Sequence, residues 1–494
     1  AVTLPYIIKL AELGYKKALS CDENFLAGLN VYKGQVTYKA VADDLGYGDV
    51  GYFGNPDLQT PHLDWMAEQG VVLTQHYAGS PICAPARASL LTGRYNHRTG
   101  AVDVPSNRGF DRIALSETTI ADVFKSAGYA TGMVGKWHNG VHDMRYHPNS
   151  RGFDEFAGFL NGGMDFWDWV LDYNGTPNPA DGRYLTDVFT EEALSFIDRH
   201  KSEPFFLYIP YNAPHDPLQA PEDLISKYDD KGKFTPPVSR IYAMIERMDA
   251  GIGRILESLK VNGLVRDTLV IFTSDNGPVL GGEGEDSRSR YNGMFTGSKY
   301  DVLEGGIRVP AILYWPDGLP EGKHCDELVH FTDWLPTLAA IAGETLLPEL
   351  NLDGRNALDV LRGENNAAEP IRFWQYNRYE PKPYNNAAMR DGRWKLYWPP
   401  IPEAQTKDPA DNIPYFKYLT EAHTILDIDT TVWNPVLSKP RPPLLFDLEN
   451  DPYEHCDVSG RYPHRLKSMV NQWEAWFDNV LADWMDAQKH TRLN

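Results

Sequence analysis

The string Cys83-Ala84-Pro85-Ala86-Arg87, running on through ASLLTGR, sets a thiol at the start of a predicted helix. Pro85 suits the first helical turn, where its missing N–H costs nothing. The free N–H groups of that turn favour an anion, and Arg87 adds a bidentate cation one turn on. A buried Cys before an ordinary helix would do no chemistry; the extended string argues against that reading.

Oxygen donors and cations stand at other points of the chain. Asp43-Asp44 closes VTYKAVADD, and Asp275-Asn276 closes TLVIFTSDNG. Each alone reads as a polar turn. Four oxygen-bearing side chains together suit a hard cation, Ca²⁺ or Mg²⁺. Lys136 and His138 lie in GKWH, His215 lies in APH after PFFLYIPY, and Lys299 precedes Glu304-Gly305-Gly306. A lone Lys or His is usually structural, but these follow predicted strands or sit in glycine-rich turns.

An alternation of strands and helices must position these groups. VVLTQHYA, ATGMVG, PFFLYIPY, TLVIFTSDNG and VPAILYWP read as strands. HLDWMAEQG, ETTIADVFKSAGY, LTDVFTEEALSFIDRH and IYAMIERMDAGIGRILESLKVNG read as helices. This order predicts an α/β fold, with a mostly parallel central sheet flanked by helices. Ligands of such sheets sit beyond the carboxyl ends of the strands. After about residue 365 the texture changes. MRDGRWKLYW reads as a hairpin turning at Asp391-Gly392, and RLKSMVNQWEAWFDNVLADWM as a terminal helix. Three parts are expected: an atypical segment 1–42, a catalytic domain 43–364, and an antiparallel subdomain with a terminal helix at 365–494.

The 494 residues are 42% hydrophobic and 23% charged, an ordinary globular balance. A formal net charge of -21 argues against nucleic acid or an anionic membrane as partner. It does not exclude an anionic substrate in a local basic pocket. The 4 Cys are far apart, so neither a thiolate zinc site nor a dense disulfide framework is expected. No apolar run long enough to span a membrane is present, and no signal peptide is visible at Ala1.

The Cys-x-Pro-x-Arg string with its downstream Thr-Gly-Arg resembles the signature of the formylglycine-dependent sulfatases of the alkaline phosphatase superfamily. GKWH, the Pro-His after an apolar strand, and the Lys…EGG arrangement followed by IRVP are similar to that family too, and in its order. The resemblance implies sulfate ester hydrolysis with one divalent cation, Ca²⁺ foremost and Mg²⁺ next. It implies that Cys83 is converted to formylglycine by a formylglycine-generating or sulfatase-maturating enzyme. The hydrated aldehyde attacks sulfur and collapses to expel sulfate, where a serine sulfate would be a dead end. Asp43, Asp44, Asp275, Asn276 and residue 83 are the implied metal ligands. Arg87, Lys136 and Lys299 are implied to neutralise sulfate oxygens, His215 to protonate the leaving alcohol, and His138 to assist the diol. Asp275 would take the nucleophile's proton. The family also implies a periplasmic or secreted location.

The N-terminus departs from the family. Its first strand should be a nearly continuous apolar run, yet here Lys39 interrupts VTYKAV. A central parallel strand is covered on both faces, so Lys39 would be costly there. Residues 1–42 resemble the C-terminal tail of an alanine dehydrogenase, and a chimera joined at about residues 41–46 is one explanation. The other is that VTYKAV is an edge-tolerant first strand. No dinucleotide-binding glycine motif follows a strand, so dehydrogenase activity is not expected.

Three segments bear on substrate. MDFWDWVLDY (164–173) offers aromatics for sugar stacking or for the core. YHPNSRGFDEF (146–156) resembles a segment of polysaccharide sulfatases. RSRYNGMFTGSK (288–299) and RFWQYNRYEPKPYNN (372–386) suggest subsites for an anionic sugar. A sulfated polysaccharide or oligosaccharide is therefore the favoured substrate. The alternatives are a phosphoester or phosphonate monoester hydrolase of the same superfamily, and a non-catalytic sulfated-glycan-binding protein.

Overall fold

The computed structural model describes residues 35–141, 143–229, 232–281, 286–364, 369–408, 411 and 433–491. The helix expected at 6–19 lies outside these residues. Ten strands make the main sheet, in the spatial order Lys323–Cys325, Val71–Leu73, Ala311–Tyr314, Thr268–Ser274, Gln35–Ala42, Phe205–Pro210, Ala130–Lys136, Glu155–Phe159, Val170–Tyr173 and Thr176–Pro179. The five strands from Thr268–Ser274 to Glu155–Phe159 run parallel. Their neighbours on either side join antiparallel.

Every residue of Phe205–Pro210 and of Thr268–Ser274 is buried. Both faces of a central parallel strand are covered by helices, which is why these segments read as unbroken apolar runs. One apolar layer sits under Leu185–His200 and Pro236–Val261, whose Phe189, Ile245 and Ile252 meet Ile209 and Phe272. The other sits under Cys83–Thr92 and Trp334–Ile341, whose Leu90 and Leu338 meet Tyr208 and Ile271.

A second sheet of four antiparallel strands follows: Arg372–Gln375, Ala387–Asp391, Trp394–Trp398 and Leu444–Asp447. The terminal helix Pro463–Thr491 packs Met469, Trp473 and Phe477 onto it. The hairpin turns one residue later than its sequence suggests. Asp391 pairs with Trp394, so Gly392 and Arg393 form the loop, and Gly392 takes φ 57°. A left-handed φ at the first loop position is what glycine supplies at no steric cost.

Two contacts tie this sheet to the larger one. Lys395 Nζ reaches Glu304 at 2.9 Å and Glu454 at 2.7 Å, all three buried. Arg94 spans Glu117 and Asp483 of the terminal helix. Glu304-Gly305-Gly306 and the acidic turn at 447–454 thus act in assembly.

The strand Gln35–Ala42 lies at the centre of the main sheet, between Phe205–Pro210 and Thr268–Ser274. This corrects the edge-tolerant reading of VTYKAV. Lys39 is 1% exposed, and its Nζ meets no hydrogen-bond acceptor among the described residues. It lies 4.8 Å from the ring centroid of Trp334, where a cation–π attraction would offset only part of the cost of burying a charge. Burial drives its pKa well below the ordinary lysine value.

Candidate active site

Four adjacent parallel strands deliver most of the site. Asp43 and Asp44 follow Gln35–Ala42, Asp275 and Asn276 follow Thr268–Ser274, Lys136 ends Ala130–Lys136, and His215 lies just beyond Phe205–Pro210. All these groups leave the carboxyl edge of the sheet, where strand ends converge on a ligand. Cys83 opens the helix Cys83–Thr92, every residue of which is buried.

Carboxylate oxygens of Asp43, Asp44 and Asp275 lie within 4.8 Å of one another, and so do ligand atoms of Asp43, Cys83 and His215. Asp44 and His138 hold φ of 62° and 56°. A left-handed backbone in these residue types is unfavourable and persists only where surroundings enforce it. Cations compensate the acids: Lys136 Nζ is 2.7 Å from Asp43, and Lys299 Nζ is 2.7 Å from Asp44.

Arg87 is placed differently from its implied role. Its guanidinium is wholly buried, bonds Asp275 Oδ2 through Nε at 2.9 Å, and donates from Nη1 to the carbonyl of Lys136. It braces the acids from behind, while Lys136 and Lys299 remain as the cations nearest Cys83. Arg290 does likewise: it pairs with Asp49 and donates to the Asp44 carbonyl at 2.8 Å. It supports the acidic turn and is not free for a sugar, as the basic loop 288–299 had suggested. Arg151 is buried on backbone carbonyls of Ala114 and Glu117, also a structural post. In the aromatic segment Phe166 and Trp169 belong to the core, whereas Trp167 is 41% exposed.

Burial alone would raise the Cys83 thiol, but Lys136 and Lys299 bring it down to about 7. Burial and the charge of Asp43 push Asp275 up to about 6, against Arg87. Burial would lower His215, yet Asp216 and Asp43 carry it well above its ordinary value. Its Nδ1 is 2.9 Å from Asp216 Oδ1. Asp216 went unnoticed in the sequence although it is the next residue in APHDP. Burial, then Lys136 and Arg87, hold His138 well below its ordinary pKa, so it is neutral. Its Nε2 faces the Val104 carbonyl at 3.4 Å.

The donor set fits a hard cation. Asp43 Oδ1 and Asn276 Oδ1 are buried oxygens with no hydrogen-bond partner among the described residues. Asp43 stands with the oxygens of Asp44 and Asp275, Asn276 meets Asp44 Oδ1 through its Nδ2 at 2.7 Å, and an oxygen-rich cluster is what Ca²⁺ or Mg²⁺ takes. Cys83, Cys325 and Cys456 are unbridged; Cys21 lies outside the described residues.

Residues 40–344 match the family model described as Sulfatase. The chain belongs to the sulfatase family. It is a sulfuric ester hydrolase. This sulfatase is 32% identical to human arylsulfatase A, with 90% of this chain and 88% of that protein covered. It is 31% identical to the N-acetylgalactosamine-6-sulfatase of Sus scrofa, covering 84% of this chain and 80% of that one. Among solved structures it is similar to Ps i-CgsB in complex with k-i-k-neocarrahexaose, at TM-score 0.75 and 31% identity, with 90% of this chain and 93% of that chain covered. No helix among the described residues of the sulfatase is long and apolar enough to cross a membrane.

Proposed function

We propose that this sulfatase removes sulfate from a sulfated polysaccharide or oligosaccharide, using formylglycine at position 83 and one divalent cation, calcium foremost. The observation that carries this is the convergence of Cys83, His215 and Asp43 within 4.8 Å beside the Asp43–Asp44–Asp275 cluster. The relative named N-acetylgalactosamine-6-sulfatase and the structure complexed with neocarrahexaose support a sugar substrate.

Formylglycine at position 83, once hydrated, would supply a hydroxyl nucleophile for sulfur; loss of sulfate would return the aldehyde, which water hydrates again. Asp43, Asp44, Asp275 and Asn276 would hold the cation, which would supply positive charge to a sulfate oxygen. Lys136 and Lys299 bind the remaining sulfate oxygens and favour the charge that spreads in the transition state. Asp275, in one cluster with Asp43, which in turn stands beside Cys83, accepts the nucleophile's proton. His215, protonated and oriented by Asp216, gives its proton to the departing sugar oxygen. Neutral His138 assists at the nucleophile. Arg87 keeps Asp275 in place.

A phosphate monoester would bring a second negative charge that a sulfate ester lacks, and the single acidic cluster with two facing lysines suits the less charged ester; a phosphonate monoester, singly charged like sulfate, is told apart by relative rates on the two esters. A maturation enzyme is the required protein partner, and export to the periplasm or beyond is the location that fits a polysaccharide substrate. We further propose that residues 1–42 are joined from an alanine dehydrogenase tail; the buried Lys39 in a central strand, whose Nζ has no hydrogen-bond acceptor among the described residues, supports a join near it.

The test is peptide mass spectrometry at position 83 after co-expression with the maturation enzyme, paired with sulfate release from sugar sulfates. Formylglycine lowers the mass of the thiol peptide by roughly 18 Da. Thiol alone, under conditions that mature a control sulfatase, turns the reading toward a glycan-binding protein.

A further inference from the structure

Tyr300 directly follows Lys299 and is 40% exposed, at φ 78°. An aromatic side chain in the left-handed region is a genuine outlier, and this one is held from both sides. Its N–H donates to the Pro81 carbonyl at 2.9 Å, just before the Cys83 helix. Its carbonyl accepts from Asn386 Nδ2 at 2.6 Å. The ring is thereby fixed at the edge of the site.

Two cations lie over that ring. Lys299 Nζ is 5.8 Å from its centroid, and Arg378 Cζ is 5.3 Å away. Arg378 comes from the smaller sheet's side of the molecule, on the loop after Arg372–Gln375, beside Tyr376, which packs on Ile82 and Cys83. One edge of its guanidinium is anchored: Nη1 donates to Asp103 Oδ1 at 3.0 Å. Asp103 also accepts from the Val104 N–H, the Tyr376 hydroxyl and the Tyr379 N–H. Its charge is therefore shared among four donors. The Nε and Nη2 hydrogens of Arg378 meet no acceptor among the described residues.

We propose that Arg378, over the same Tyr300 ring as the catalytic Lys299, reads a second sulfate on the substrate, next to the ester that is cleaved. A guanidinium edge matches a sulfate bidentately. Because both cations stand within about 6 Å of one ring centroid, they lie no more than about 11 Å apart, a span that substituents on one sugar or on adjoining sugars can cover. A chain of net charge -21 repels a polyanion at large, so local cations must carry recognition. This rests on the sulfatase reading above and names the substrate class for it.

The test uses matured enzyme with 4-nitrophenyl sulfate as reporter. Oligosaccharide pairs that differ by one sulfate, κ- against ι-carrageenan tetrasaccharides and mono- against disulfated chondroitin disaccharides, serve as competing inhibitors. The wild type should bind the disulfated member of at least one pair tenfold or more tightly. Arg378→Gln should erase that ratio, and Arg378→Lys should restore part of it. A wild type that discriminates no pair, or an Arg378→Gln enzyme that keeps the ratio while losing turnover, overturns the inference. Failure of the matured wild type to release sulfate from any of these oligosaccharides and from 4-nitrophenyl sulfate alike would instead overturn the sulfatase chemistry at this site.

Discussion

Arg87 Nε donates to Asp275 Oδ2 at 2.9 Å, joining the nucleophile helix to the end of the strand Thr268–Ser274, with both side chains wholly buried. The pair makes position 83 and the acidic cluster one rigid unit. Arg87→Ala strands the Asp275 carboxylate in the core. Removing one partner of a buried ion pair costs about 3–5 kcal/mol. Denaturant unfolding should show a loss of that size, and calcium-dependent stabilisation should weaken with it. An unchanged midpoint would mean that Arg87 is dispensable as a brace.

Lys39 predicts the opposite sign. Its buried amine has a depressed pKa, so the folded chain holds it neutral while the unfolded chain protonates it. The unfolded state then binds more protons below the ordinary value of 10.5, and stability rises with pH toward that value, by up to about 1.4 kcal/mol per pH unit. Lys39→Met removes this dependence and should stabilise the protein at pH 7 by about 1–3 kcal/mol. His76, Trp334 and Thr273 surround the site, and burial and Lys39 hold His76 down to about 3, so His76 does not titrate in this window. Unfolding curves at pH 7, 8 and 9 for both proteins decide it; equal slopes would refute a neutral Lys39.

Metal removal has a readout that does not need turnover. Calcium at a hundredfold excess over its dissociation constant should stabilise the fold by about 2.7 kcal/mol, and a chelator should abolish the gain. Asn276→Ala deletes one orphaned oxygen without stranding a charge, so it should shift the calcium titration to higher concentration. Identical calorimetric scans with calcium and with chelator would count against a metal centre.

His215 can be examined through the leaving group. A sugar or alkyl alkoxide needs a proton to depart; 4-nitrophenolate does not. His215→Gln should lower kcat for a sugar sulfate by about 10²–10⁴ and affect 4-nitrophenyl sulfate far less. Equal losses on both substrates would assign His215 to sulfate binding. Asp216→Asn, which weakens the orientation seen at 2.9 Å, should show the same asymmetry in milder form.

Some of this protein could be read from its chain alone, because the information is local. The Cys83 string, the apolar run ending at Asp275, and the Pro-His after the apolar Phe205–Pro210 name the chemistry and the fold class, since a buried parallel strand demands an unbroken apolar run and releases its polar groups at one edge. The tertiary structure decided which way those groups face. Arg87 turned inward to Asp275, and Arg290 spent its charge on Asp49. Lys39 proved central because pairing on both flanks depends on strands far away in sequence. Arg378 met Tyr300 only because the smaller sheet docks beside the nucleophile helix. Charge partners and subsite walls come from residues far apart in sequence, and no spacing along the chain encodes that proximity.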